Sequence, residues 1–383
     1  MDSPFIYDRY VAGKNFIGRK ADCQILSNLL NANENVVMYE PPKTGKMSVV
    51  QQTLFNMRIS GKAFSVGSMN FFNKRTMEQF LTCFGTSVIR SVASTPEEYG
   101  NAVAECLSGT HFRFDRQLFS MTDQVVSIEG ELDRSDMERM MELPYKLASL
   151  HGTHIYVIIS EFQNFLEDER CEDLFKVLEE ILSKKKEEGN PSASFILCGS
   201  RVNAMKYIFA EKKWFYRLIE HLPLNVVEDR EIIDYVVKGY LLSGKVVEKE
   251  LVMGMCKMFR NNLWYINHFT SICDSMSKGY INEGIMMEAL RIMISIHEPK
   301  FMGIMDNLTN HQISFLRAVL DGVTKFSSTD TIAKYGLNSS ANVRRVKDAL
   351  KKKEIVTFDE KDEPEIIDPL FKYWAEKYYF EKI

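Results

Sequence analysis

Short apolar runs alternate with longer segments of helical period through the first half of the chain. The run Asn35–Tyr39 is too short for a helix and rich in β-branched residues, which indicates a buried parallel strand. Runs of similar length lie at 63–70, 154–159 and 194–198. Strands that alternate with helices predict an α/β fold, with a parallel sheet covered by helices on both faces.

The pattern changes after residue 224, where the strand signal disappears. From 229 to about 305 the apolar spacing is helical and rich in methionine, which indicates an adaptable helical core. Three further helices are predicted at 308–320, 329–335 and 339–353, and the short runs IVTFD and EIID then flank the turn EKDEP. Three helices and a β-ribbon are the elements of a winged helix. The polar stretch from about 94 to 141 predicts no clear element.

The chain has 383 residues, more than the roughly 250–300 that one hydrophobic core usually serves. We therefore predict three domains, an α/β domain at 1–225, a helical lid domain at 226–306 and a winged-helix domain at 307–383.

Composition limits which partners and which cellular compartment this protein can have. The formal net charge of -4 gives no global attraction to nucleic acid, so any DNA contact must come from a local basic patch. The seven cysteines contain no C-x-x-C pair, which favours free thiols in a reducing compartment over zinc or disulfides. The first residues lack a secretory pattern, and no run reaches the ~18 apolar residues of a membrane helix. We expect a soluble, cytoplasmic protein with no membrane contact.

The strongest chemical motif follows the first predicted strand. Residues 40–47 read EPPKTGKM, and a helical pattern begins at Lys46. In a P-loop, a Gly-rich turn directs backbone N–H groups at phosphate oxygens, a lysine reaches the outer phosphates, and the next Ser or Thr coordinates Mg²⁺. Strand, tight loop and helix occur here in that order. The candidate nucleotide-binding residues in this segment are Pro42, Lys43, Thr44, Gly45, Lys46, Met47 and Ser48.

Positions that serve the metal are altered. Glu40 stands where the first loop glycine is expected, and Met47 stands where the Mg²⁺ hydroxyl is expected, although a thioether is a poor ligand for a hard cation. Ser48 is one residue further along the helix, about 100° around its axis. The strand at 154–159 should end in two acidic residues but ends in Ser160 and Glu161. We therefore expect ATP or ADP as the ligand, doubt a role for Mg²⁺, and predict no metal ligands.

Five short segments add a family resemblance. They read NFIGRK at 15–20, SEFQ at 160–163, CGS at 198–200, WFYR at 214–217 and DPLFKYW at 368–374. In this order they resemble the archaeal-type ATPase family of the AAA+ and STAND class of P-loop NTPases over nearly the whole chain. The resemblance implies that Gly18 and Arg19 lie on the adenine side of the nucleotide, that Ser200 is a sensor, and that Glu161 and Arg217 are catalytic.

The lid segment NNLWY at 261–265 departs from that family. Asn261 and Leu263 stand where the family usually carries the Gly and Pro of a Gly-x-Pro motif that is followed by nucleotide-contacting aromatics. With Glu40, Met47 and Ser160, this makes several losses in the functions of one site. The sequence therefore favours a degenerate member.

The helix predicted at 339–353 carries one basic surface. Val343, Val346 and Leu350 are spaced for a core, and the other faces hold lysine and arginine, as a recognition helix would. From Thr309 to the end, 13 basic and 12 acidic residues leave a net +1, and the turn at 359–363 is acidic. The alternative is a solvated helix, or one docked on an acidic surface of the same chain or of a partner. The candidate DNA-contact residues are Arg344, Arg345, Lys347, Lys351 and Lys352.

Three functional hypotheses stay open. In the first, a nucleotide-binding pseudo-ATPase acts through its winged helix on DNA or a protein partner. In the second, an active Mg²⁺-dependent ATPase uses Glu161 and Arg217. In the third, Lys46 begins a helix beside an empty loop, Glu161 is a capping carboxylate, and the chain is a structural interaction protein. The sequence does not reveal the oligomeric state.

Overall fold

The computed structural model describes residues 3–210 and 213–381, which fall into two compact units. The sheet unit consists of Lys20–Glu40 and of the described residues of Val49–Leu224, which exclude 211 and 212. The helical unit consists of the described residues up to Arg19, Pro41–Ser48, and the described residues from Asn225 onward. The phosphate-loop segment is thus grouped with the helical unit. The three predicted domain boundaries stay predictions.

The sheet unit is built on a parallel sheet, as predicted, and its fifth strand, Ile219–His221, is not among the predicted runs. Its strand order is β2-β5-β6-β1-β7, and the four pairings between these described strands are parallel. All six residues of β5 and all seven of β6 are buried, as expected for central strands covered on both faces. The strands are β1 (Asn35–Tyr39), β2 (Ser65–Asn70), β5 (Ile155–Ser160), β6 (Ala193–Gly199) and β7 (Ile219–His221).

The stretch near 94–141, which predicted no clear element, is ordered. Thr95 caps one of its helices through a capping box followed by Pro96, and Val125 and Val126 are buried in the core. Its two strands have only two residues each, too short to show a period. The remaining elements of the sheet unit are α1 (Lys20–Asn31), α2 (Lys46–Ile59, whose first turn lies in the helical unit), α3 (Met77–Arg90), α4 (Pro96–Cys106), β3 (Phe112–Arg113), α5 (Arg116–Thr122), β4 (Ser127–Ile128), α6 (Arg134–His151), α7 (Cys171–Glu188) and α8 (Val202–Ile208).

The segment after residue 225 is helical as predicted, with one correction. Two-residue strands pair in parallel through Val246 with Tyr280 and Val247 with Ile281, so strand structure does not end at residue 224. Such short pairings leave no periodic signal in a sequence. The elements are α9 (Asp229–Leu242), β8 (Val246–Val247), α10 (Lys249–Phe259), α11 (Leu263–Met276), β9 (Tyr280–Ile281) and α12 (Glu283–Asp306).

The C-terminal part has the predicted winged-helix elements. Ser339 is the N-cap of the third helix, and the two strands pair antiparallel, with Val356 opposite Ile366. Asp368 then caps the last α-helix by accepting the N–H groups of Leu370 and Phe371, each at 3.1 Å. The elements are α13 (Asn310–Leu320), α14 (Thr329–Tyr335), α15 (Ser340–Lys352), β10 (Val356–Phe358), β11 (Pro364–Ile366) and α16 (Pro369–Trp374), followed by a π-helical turn at Ala375–Tyr379.

Each unit has its own hydrophobic core. Among the described residues, no helix combines the length and the apolar character needed to cross a bilayer. All seven cysteines lie in the described ranges and are free thiols, as predicted.

Candidate nucleotide-binding loop

The phosphate-loop segment folds as the sequence predicts, since α2 begins at Lys46. Gly45 has a φ of +90°, a conformation that other residues rarely adopt. The Pro41 carbonyl accepts hydrogen bonds from the Thr44 hydroxyl and the Lys46 ammonium, both at 2.9 Å. The loop therefore closes on the Pro41 carbonyl. Lys46 is buried, with 8% of the residue exposed, and its side chain lies over the turn.

Gly18 and Arg19 lie in the same unit as this loop. Gly18 has a φ of +61°, and a Cβ there would lie 2.7 Å from a Val227 methyl carbon and 2.8 Å from a Glu231 carboxylate oxygen. Glycine is thus required by both the backbone and the close approach of α9. One guanidinium nitrogen of Arg19 lies 3.4 Å from the position that a Cβ on Gly45 would take. The structure therefore brings Arg19 to the phosphate loop.

In the phosphate loop, Met47 stands where the motif predicts a metal-binding hydroxyl, and Ser48 follows it. Met47 is buried, with 8% of the residue exposed. The hydroxyl of Ser48 accepts the backbone N–H of Val11 at 3.2 Å, so it anchors the N-terminal segment. The chemistry of this donor set does not suit Mg²⁺, which prefers oxygen ligands in octahedral geometry.

A contact that the sequence analysis missed involves Lys43. Its ammonium lies 3.2 Å from the centroid of the Trp264 ring, which belongs to the first turn of α11. Lys43 also has a φ of +67°. The only signal in the sequence is a tryptophan two residues after the helix-capping Asn262, and nothing in that spacing indicates a lysine as its partner.

Two asparagine side chains hold the segment at 261–265 in place. Asn261, which stands at the expected glycine, has a φ of +56°. Asparagine is among the residues that tolerate this region best after glycine. Its side-chain amide donates to the Val227 carbonyl at 2.9 Å and to the Asp229 carboxylate at 2.6 Å. Asn262 then caps α11 by accepting the N–H of Trp264 at 3.0 Å.

At the carboxyl edge of the sheet, Glu161 is held by two neighbours. The Ser200 hydroxyl and the Gln163 amide both donate to Oε2 of Glu161 at 2.6 Å. Glu161 has a φ of +59°, and Ser160 before it is 7% exposed. The structure thus joins the predicted sensor Ser200 to the predicted catalytic carboxylate. The neutral Ser160 places no charge at a metal position.

Glu40 and Arg217 are two further residues of the sheet unit that the sequence analysis singled out. The carboxylate of Glu40 accepts the backbone N–H of Leu224 at 3.2 Å, which gives this unusual loop residue a partner at the end of the unit. Arg217 is exposed, and its guanidinium lies 5.1 Å from the centroid of the Tyr216 ring. Within the described part of the chain, Arg217 forms no hydrogen bond or ion pair with Glu161.

The predicted DNA-contact residues on α15 differ in their surroundings. Arg344, Arg345 and Lys352 are exposed. Lys347 forms an ion pair with Asp362 in the wing turn, and its ammonium lies 4.1 Å from the centroid of the Phe358 ring. Lys351 lies near the same ring, at 5.6 Å. The acidic wing therefore covers part of the basic helix.

Comparisons with known proteins agree with this architecture. Residues 299–377 match the family described as a probable winged helix domain. No curated protein matches the chain at a significant level. A Walker-type ATPase of Pyrococcus abyssi superposes with a TM-score of 0.66 and 11% identity, over 97% of this chain and 99% of that one. The ORC2 protein of Aeropyrum pernix, solved in ADPNP-ADP complexes, gives a TM-score of 0.56 and 14% identity, over 95% and 93%.

These likenesses show the fold. The chain has the fold of the archaeal Walker-type ATPases, a parallel-sheet P-loop core with a helical region and a C-terminal winged helix.

Proposed function

We propose that this chain is a degenerate member of the archaeal-type ATPase family that binds ATP or ADP through its phosphate loop without needing Mg²⁺. In this proposal it is a pseudo-ATPase, which does not turn the nucleotide over at the rate of an enzyme. When nucleotide is bound, the protein acts through its winged helix on DNA or on a protein partner. The observation that carries the proposal is a loop that keeps Gly45 and Lys46 at the start of α2 but has a buried Met47 at the next position.

The loop retains what phosphate binding requires. A left-handed Gly45 precedes a helix of 14 residues that opens with Lys46, so the positive end of that helix would meet phosphate oxygens. The Lys46 ammonium now donates to the Pro41 carbonyl. A phosphate oxygen is a stronger, charged acceptor, so Lys46 can exchange one partner for the other at little cost. The ADPNP-ADP complexes of the Aeropyrum pernix protein support a nucleotide ligand for this fold.

Hydrolysis requires more than this. Charge that develops in phosphoryl transfer is stabilised mainly by the metal and by fixed positive groups. Met47 offers a thioether and Ser160 a neutral hydroxyl where the metal shell needs oxygen and charge. Glu161 already accepts hydrogen bonds from Ser200 and Gln163 through one oxygen. The alternative, an active enzyme using Glu161 and Arg217, lacks protein ligands for its metal.

For the winged helix, we propose duplex DNA as the first partner to test. The exposed Arg344, Arg345 and Lys352 on α15 fit phosphate contacts, which supply most non-specific affinity. An acidic protein surface is the other outcome. If anisotropy titration at low salt gives no affinity better than ~10⁻⁴ M, the weak end of non-specific binding, DNA is not the partner.

Phosphate release from ATP tests the enzymatic side. The wild type and Lys46→Ala should release phosphate at the same background rate, with and without Mg²⁺. Mg²⁺-dependent turnover that Lys46→Ala abolishes would establish an active ATPase and overturn the pseudo-ATPase proposal.

A further inference from the structure

The Lys43 side chain spans from the phosphate loop to the first turn of α11. Its ammonium stands 3.2 Å from the centroid of the Trp264 ring, inside the range of about 6 Å for a cation–π contact. Indole is the best of the aromatic faces for such a contact. The phosphate loop and α11 belong to the same compact unit, so this contact ties two parts of one body.

Neutral aromatic groups surround this pair. The Trp264 ring lies 5.9 Å from Tyr7, 5.1 Å from His268 and 5.7 Å from His297, all edge to face. Burial, followed by the charge of Lys43, lowers the pKa of His268, and the same two causes lower that of His297 to about 4. Both imidazoles are therefore neutral near pH 7 and do not repel the ammonium. We call Tyr7, Trp264, His268 and His297 the aromatic cluster.

Hydrogen bonds of Asn262 before Trp264 and of Tyr265 after it hold the start of α11 in place. Asn262 accepts the N–H groups of Trp264 at 3.0 Å and Tyr265 at 3.3 Å, which caps the helix. The Tyr265 hydroxyl donates to Asp368 at 2.7 Å, and Lys300 pairs with the same carboxylate at 3.2 Å. An anchored indole face loses little entropy on holding a cation, so the contact is preorganised.

The backbone of Lys43 provides independent evidence. Its φ of +67° lies in the left-handed region, which is unfavourable for a residue with a Cβ. Such a conformation persists only where the surroundings hold it. The indole contact of the side chain is such a restraint. Burial, followed by the like charge of Lys300, lowers the pKa of Lys43 to about 8, so the lysine still carries its charge near pH 7.

We propose that Lys43 and Trp264 form a latch that holds the phosphate loop to α11 while nucleotide is absent, and that a nucleotide phosphate must draw Lys43 off the indole face to bind. This inference rests on the proposed nucleotide-binding function and adds its regulation. Lys43 lies in the loop that would surround the phosphates, and phosphate competes with indole for the same ammonium. A nucleotide therefore binds the unlatched loop, and the latched fraction reduces its apparent affinity.

The latch is observed directly by NMR of the full chain with lysine labelled at ¹³Cε. The Lys43 signal, assigned with Lys43→Arg, should be displaced upfield by the ring current of Trp264. The displacement should vanish in Trp264→Leu, shrink in Trp264→Phe, and persist in Trp214→Leu. The last is a matched control because Lys213 lies 4.9 Å over Trp214. A Lys43 signal at the position of a solvated lysine overturns the latch, whatever the nucleotide data show.

Nucleotide titration gives the second readout. Trp264→Leu should bind ATP about threefold to tenfold more tightly than the wild type, the scale of one partly exposed cation–π contact. Trp214→Leu should bind as the wild type does. If Trp264→Leu does not fold, the graded effect of Trp264→Phe decides the question. A displaced Lys43 signal with unchanged ATP affinity overturns the latch as a regulator and leaves nucleotide binding intact. If no variant binds ATP, the proposed function itself fails, and with it any competition at Lys43.

Discussion

The hydroxyl of Ser200 donates to Oε2 of Glu161 at 2.6 Å, and so joins the end of β6 to the residue after β5. The same oxygen accepts the Gln163 amide at 2.6 Å. In this arrangement Glu161 is a charged acceptor at the carboxyl edge of the sheet, held in the left-handed region at a φ of +59°.

Removing this hydroxyl should destabilise the fold. Ser200→Ala takes a donor from a charged acceptor, so the free energy of unfolding should fall by about 1–3 kcal/mol in urea. Ser60→Ala is the control, because Ser60 is an exposed residue whose hydroxyl donates to the neutral Met57 carbonyl. It should cost under about 1 kcal/mol. Equal small losses in the two variants would show that Glu161 does not depend on Ser200.

Restoring an oxygen at the metal position should restore a response to Mg²⁺. Met47→Thr supplies the missing hydroxyl, and ATP affinity should then increase when Mg²⁺ is added, measured by calorimetry. Met47→Leu keeps an apolar side chain of similar volume and should not respond. The account is contradicted if wild type and Met47→Leu already gain affinity with Mg²⁺, since the metal would then need no oxygen at this position.

The acidic wing should weaken DNA binding by the basic helix. Asp362→Asn removes a negative charge and releases Lys347 from its ion pair, so affinity for duplex DNA at low salt should rise several-fold. Asp330→Asn makes the same charge change at the exposed start of α14 and should have a smaller effect. Equal effects in anisotropy titrations would mean that only net charge matters.

Gly18 and Gly13 form a matched pair for the close approach of α9. Both have a φ above +60°, but a Cβ on Gly13 meets nothing within 4 Å, whereas one on Gly18 meets Val227 at 2.7 Å. Gly18→Ala should therefore lower the free energy of unfolding by about 1–3 kcal/mol more than Gly13→Ala, because overpacking adds to the backbone cost. Urea denaturation measures both. Similar losses would indicate that the segment before α9 moves easily at Val227.

The sequence predicted those features that leave a period or a fixed spacing. The start of α2 at Lys46 and the helices of the winged domain are of this kind. The two-residue strands β8 and β9 are too short to have a period, and the elements near 94–141 depend on tertiary contacts of residues such as Val125. The Lys43–Trp264 contact joins residues far apart in the chain, so only the folded structure reveals it.

The central claim is that the phosphate loop binds nucleotide without metal. Isothermal titration of ATP and ADP into the wild type and Lys46→Ala, each with and without Mg²⁺, tests it most directly. We predict binding to the wild type whose affinity does not depend on Mg²⁺, and a loss of about tenfold or more in Lys46→Ala. Binding that requires Mg²⁺, or no binding to the wild type at all, would contradict the account.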